Sequence, residues 1–325
     1  MIIEPTVFVL GAGASQPYGF PVGRTLADEV CGHLSGTDPS TEFRYALGQC
    51  GIRNDVAEQM AFYVSMRESG CATLDEFVQA EGNRKYLPLV KASIIARLVA
   101  CEEPRLLFPD LPEYKEPLAM ASDPCDWYAY LFDRMRTAEA EQFRSNQLKV
   151  ITFNFDRSFE YRLFLMLRGS YGLSDLDATK LCTSVPVLHV HGSLGGPAWL
   201  GERRPESRTY EPSATREQRR ELMDRIRIVH EEIDQRVLET AHEWIVSAQR
   251  IAFIGFGYHR INIQRLNMHV PHPSAVIWGT TLGFSGIESE TIERRFGNRG
   301  QTRLRLNCPF DALTFLREVD VLVTD

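Results

Sequence analysis

The chain lacks paired cysteines. Its seven, Cys31, Cys50, Cys71, Cys101, Cys125, Cys182 and Cys308, are odd in number, and no two stand in a C-x-x-C pair. That spacing excludes a zinc ribbon and speaks against a disulfide framework, so most are expected as small buried apolar residues. No apolar run approaches the roughly 20 residues that a membrane span needs. The N-terminus, MIIEPTVFVLGAGAS, has no basic region before its apolar stretch. A signal peptide is not expected, and a cytoplasmic location is. Excess positive charge is missing too. At a net charge of -7 the surface as a whole is no nucleic-acid footprint, and direct nucleic-acid binding is not expected. Repeats and low-complexity tracts are absent.

The remainder reads as a globular protein of 325 residues, 44% hydrophobic and 24% charged. An apolar run, Val7 to Leu10, meets Gly11, Ala12 and Gly13, and a helix is expected from near Arg24. Residues 40–146 show mainly helical periodicity, as in DVAEQMAFYVSMRES, LPLVKASIIARLVAC and DWYAYLFDRMRTAEAEQF. Strands are expected over 148–156, 185–193, 250–258 and 275–283, with a helix in RSFEYRLFLMLRG between the first two. Residues 201–220 are polar and contain proline, as a loop or lid does, and helices follow to about 245. The arginines from Arg203 to Arg227 are interspersed with acids, as on a solvated helix face. The expected fold is α/β: one domain over 1–325, a doubly wound, mostly parallel Rossmann-like sheet with a large helical insertion at 40–146.

Three short motifs carry polar chemistry. In the first, Gly11 and Gly13 permit a tight turn whose backbone N–H groups can meet a phosphate, with the Ser15 hydroxyl beside them. It departs from the dehydrogenase fingerprint, because Gln16 follows Ser15 and no strand-end acid stands roughly 20 positions on. In the second, ITFNFD, the alternation places Thr152, Asn154 and Asp156 on one face at a strand's end. Buried polar groups there are costly unless hydrogen-bonded, and Asp156 could equally cap the next helix. In the third, LHVHGS, His189 and His191 are two apart and expected on one face. His191, last before Gly192, suits a general base; a metal site would need a third ligand that no local spacing supplies.

In this order the motifs resemble the sirtuin family, and more narrowly its prokaryotic anti-phage defence NADases. The family pattern G-A-G-x-S followed by G-I-P-D-F-R is met by Gly11, Ala12, Gly13, Ser15, Gly19, Pro21 and Arg24, with Val22 and Gly23 in place of its Asp and Phe. Asn154 and Asp156 match its Asn-x-Asp pair, and His191 with Gly192 its His-Gly. The resemblance covers 6–35 and 148–283. In the helical block only LDEFVQ (74–79) is similar to a helix of that branch.

The resemblance implies that NAD is a substrate and that no cofactor is needed. Gly11, Ala12, Gly13 and Ser15 would hold the pyrophosphate, with Arg24 near ribose or phosphate and Thr152 on the same nucleotide site. Gly255, Gly257 and Thr280 would form later turns around the ADP-ribose. Asp156 would meet the nicotinamide carboxamide, Asn154 would order water or ribose hydroxyls, and His191 would act as base. The deacylases' paired C-x-x-C zinc module is absent, which favours water over an acyl-lysine as acceptor. The expectation is an NAD glycohydrolase that depletes NAD in defence, as a homo-oligomer or with a partner such as an ATPase or an Argonaute-like protein. Alternatives are an NAD- or ADP-ribose-binding regulatory subunit, a deacylase or an ADP-ribosyltransferase.

Overall fold

Strand β1 (Thr6–Leu10), TVFVL, is buried at every position. A continuous apolar run of this kind suits a strand covered on both faces. In the computed structural model, which describes residues 1–35, 41–108, 125–200, 207–228, 230–270, 275–296 and 303–322, β1 lies inside a six-stranded sheet. The others are β2 (Leu148–Thr152), β3 (Val187–His189), β4 (Arg250–Ile254), β5 (Val276–Thr280) and β6 (Arg303–Cys308). The order is β3-β2-β1-β4-β5-β6, and every pairing is parallel. The chain winds outward from β1 to β3, then returns to lay β4 on the other side of β1. The fold is a doubly wound, Rossmann-like α/β sheet, and its direction reverses between β1 and β4, where such sheets open a ligand crevice.

Alternate residues of each strand feed two cores. Phe8, Leu10, Val150, Ile254 and Trp278 face one; Val7, Val9, Ile151, Phe253 and Ile277 face the other. Between β1 and β2 the described chain is helical: α1 (Ala12–Ser15), α2 (Gly23–Leu34), α3 (Thr41–Gln49), α4 (Val56–Ser69), α5 (Leu74–Gln79), α6 (Leu87–Cys101) and α7 (Trp127–Met135). Residues 109–124 of the expected block lie outside the described residues. Thr73 caps α5, accepting from the N–H of Glu76 at 3.2 Å. The helix α6 is buried nearly all round, so its pattern is not amphipathic. Then follow α8 (Ser158–Tyr171), α9 (Asp175–Cys182), α10 (Arg216–Arg225), α11 (Gln235–Ser247), α12 (Arg260–Arg265), α13 (Gly286–Glu293) and α14 (Ala312–Glu318). The first core takes α2, α6, α7, α8 and α9; the second takes α11, α12 and α13.

The expected strand bounds need correction. The strands stop earlier than their apolar patterns do: the one expected over 148–156 ends at Thr152, and the one over 250–258 ends at Ile254. Gly255, with φ of +59°, turns the second away. The helix expected from near Arg24 is α2, starting at Gly23, and the glycine turn before it also forms a four-residue helix, α1. Strand β6, RLRLNC, was not expected. Among the described residues no helix is long and apolar enough to cross a membrane.

Candidate functional site

The glycines of the first motif bring two strand ends together. A Cβ on Gly11 would stand 2.6 Å from the Gly255 carbonyl oxygen, and one on Gly255 would stand 2.1 Å from the Ala14 nitrogen. Neither space admits a side chain, so β1 and β4 exit in backbone contact. Gly11 N–H donates to the Ile254 oxygen and Gly13 N–H to the Gly255 oxygen, both at 3.0 Å. Two of the amides expected to meet a phosphate are therefore engaged. Ala12 is exposed, and its N–H has no partner among the described residues. Thr280 Oγ1 accepts from Gly255 N–H at 2.8 Å, which holds the β4 turn. Gly257 is exposed with open space around its Cα, and Arg24 is exposed on the first turn of α2.

Asn154 and Asp156 converge beneath this turn. The Asn154 amide nitrogen donates to the Gly11 carbonyl at 2.9 Å and to Ser15 Oγ at 3.0 Å, and its N–H donates to Thr152 Oγ1 at 3.1 Å. Its Oδ1 carries no hydrogen bond among the described residues. Asp156 Oδ1 accepts from the N–H of Ser158 at 3.1 Å and from its hydroxyl. The carboxylate thus holds the first N–H of α8 from one residue before the N-cap, which is Arg157 and has no side-chain cap. Burial pushes the Asp156 carboxyl above the usual carboxylate range, against the pull of the Ser158 and Ser15 hydroxyls. The Ser158 hydroxyl also meets Tyr128 Oη at 2.8 Å, and Trp127 Nε1 donates to the Ala14 carbonyl at 2.8 Å. So α7 of the helical block is bonded to both halves of the motif.

The two histidines do not share a face. β3 ends at His189, Gly192 takes φ of +82°, and the two-residue alternation lapses between them. His189 lies against α8: Nδ1 is 2.9 Å from the Asn154 carbonyl and Nε2 is 2.7 Å from Glu160 Oε1. Both partners are acceptors, so only the imidazolium can satisfy both. Burial opposes that charge most strongly, but Glu160, the Asn154 carbonyl and Asp156 together outweigh it and the pKa is raised. His191 lies on the opposite side, its ring against Phe153. Its Nδ1 is 2.7 Å from the Arg227 carbonyl, so the proton sits there, and Nε2 faces Arg265 Nη1 at 3.4 Å as an acceptor. Burial lowers its pKa to about 4. It is neutral at pH 7, and the pair cannot grip one metal. Among the described residues no three His, Cys, Asp or Glu side chains converge as a metal requires.

Sequence reasoning missed Glu160, whose only signal was an acid four residues after Asp156. It also missed a buried ion cluster. Arg157 Nε and Nη2 donate to the two oxygens of Glu102 at 2.9 and 2.6 Å, and Arg208 donates to the same carboxylate. All three side chains are fully buried. Arg208 therefore anchors the described part of the expected lid, and its first residues, 201–206, lie outside the described residues. A cavity of about 750 Å³ opens beside the edge strand β3, lined by His189, Glu160, Arg157, Gly192, Asp224 and Arg227. Asn154 and His191 do not line it.

No protein-family model and no curated protein matches the chain.

Proposed function

We propose that the protein is an NAD glycohydrolase, cleaving NAD to nicotinamide and ADP-ribose. One observation carries the reading: Asn154 bonds the Gly11 carbonyl and Ser15, and Ser15 also reaches Asp156, beside the β1/β4 reversal where a doubly wound sheet receives a dinucleotide. Cleaving the nicotinamide–ribose bond leaves an oxocarbenium-like sugar. The free Oδ1 of Asn154 is a fixed dipole that can orient water or ribose hydroxyls toward that cation. Neutral His191, whose Nε2 faces the Arg265 guanidinium, would accept from the attacking water or a ribose hydroxyl once that guanidinium turns to the ligand. Asp156, held by Ser158, suits the nicotinamide carboxamide. The motif resemblance supports a role as NAD-depleting effector in cytoplasmic anti-phage defence, as a homo-oligomer or with a partner ATPase or Argonaute-like protein.

A second reading, an NAD- or ADP-ribose-binding regulatory subunit, is favoured by a different observation. Asn154, Asp156 and His191 are all at most 9% exposed and largely bonded to the protein itself. One assay separates the two. Wild-type protein incubated with NAD should release nicotinamide, and Asn154→Ala and His191→Ala should each slow release by about 10²–10⁴-fold. A wild type that binds NAD without releasing nicotinamide supports the regulatory reading instead.

A further inference from the structure

With the Gly11 and Gly13 amides engaged, the turn leaves the Ala12 amide alone to meet a dinucleotide's charge, and further donors are needed. Five basic side chains gather at the carboxyl edge around the exit of β4. Arg265, at the end of α12, donates from Nη2 to the Glu231 carbonyl at 2.8 Å and faces His191 with Nη1. Arg295, just after α13, donates to the Tyr258 carbonyl at 2.7 Å. The rings of His230 and His259 lie 6.1 Å apart, edge to face, and His230 Nε2 is buried without a partner. Arg84, in the turn after α5, is exposed and acts on His230 across the same space.

None of these three arginines forms an ion pair among the described residues. Cations left without carboxylates at a sheet's carboxyl edge suit an anionic ligand. Carboxylates face the same groups, and at His230 Asp75 acts more strongly than either arginine singly. Asp75 and Glu76, both on α5, act on His230 and His259 respectively, and Glu231 is paired with Lys91 at 3.1 Å.

We propose that Arg84, Arg265 and Arg295, with His230 and His259 among them, seat a diphosphate group at the exit of β4. The name of the ligand rests on the NAD reading; the charge of the seat does not. Both histidines are held below their ordinary pKa. Burial comes first in each; Arg265 and Arg84 add to it at His230, and His230, Arg295 and Arg265 at His259. A diphosphate among these groups reverses that field, so its binding takes up protons.

The test is calorimetric titration of the whole chain with inorganic diphosphate, ADP-ribose and NAD, in buffers of differing ionisation enthalpy near pH 7. Wild type should bind all three with proton uptake. Arg84→Gln, at an exposed residue, should weaken each by about fivefold to tenfold, which is on the order of 1 kcal/mol. His230→Gln should reduce the proton uptake. Failure of inorganic diphosphate to bind at millimolar concentration, or unchanged affinity in both variants, overturns the seat even if NAD is cleaved. Binding that the variants weaken, with no nicotinamide released by wild type, upholds the seat and overturns the hydrolase reading alone.

Discussion

Removing the proton from His189 sets a bare ring nitrogen against an acceptor, either the Asn154 carbonyl or the Glu160 carboxylate. The folded-state pKa is raised above the ordinary 6.5, so the stability this contact contributes is full below pH 6.5 and is lost as pH rises through the folded value. His191 works in the other direction. Its folded value is about 4, so its contribution is full above pH 6.5 and is lost as pH falls toward 4. Denaturant melts from pH 4 to 9 should therefore show Glu160→Gln flattening the alkaline decline and leaving the acid side intact. An unchanged alkaline limb in that variant would show that His189 is not charged in the folded protein.

At the scale of elements, Glu102 ties the end of α6 to the turn before α8 and to the segment carrying Arg208. Glu102→Gln would leave two buried guanidinium groups facing a neutral amide. Truncating one side of a buried ion cluster typically costs about 3–5 kcal/mol, so chemical denaturation should show a loss of that order. A change below about 1 kcal/mol would mean that the cluster is not formed as described.

The elements were legible in the sequence in proportion to how far packing follows pattern. The helices α7 and α8 follow from their periodicity, whereas α6 is buried nearly all round and shows as an apolar run of helical length, and β1 and β5 follow from unbroken apolar runs. The aromatic alternation of ITFNFD continues past Thr152, because Phe153 and Phe155 are half-buried in the loop and local pattern cannot tell loop from strand there. Strand β6 escaped because its arginines read as surface. In the site, Asn154 and Asp156 both reach Ser15, but through the loop after β2 and not by the strand alternation expected of them. The partners that decide each histidine's charge, Glu160, Arg227 and Arg265, come from other elements, and only tertiary structure assembles them.

For the whole molecule, the candidate residues are enclosed. Asn154 and Asp156 lie under the β1 turn, with α7 bonded to Ala14 on one side and to Ser158 on the other. A site closed in this way must open to take substrate, and an equilibrium moves only when something binds the open state better. Self-association or a partner would supply that preference. Nicotinamide release per chain should therefore rise with protein concentration or on adding the partner. High, concentration-independent turnover by a monomer would contradict it.

The position of β1 also fixes an order of events during synthesis. Thr6 pairs with Leu148 on one side and with Arg250 on the other. Strand β1 thus waits for β2 to cover one edge and for β4 to cover the other, and such long-range parallel pairing is slow to form. Until then TVFVL is an exposed apolar edge. The helices that follow it, whose contacts are more local, are the natural early shelter, so the block that encloses the finished site would first serve to keep the nascent chain from aggregating.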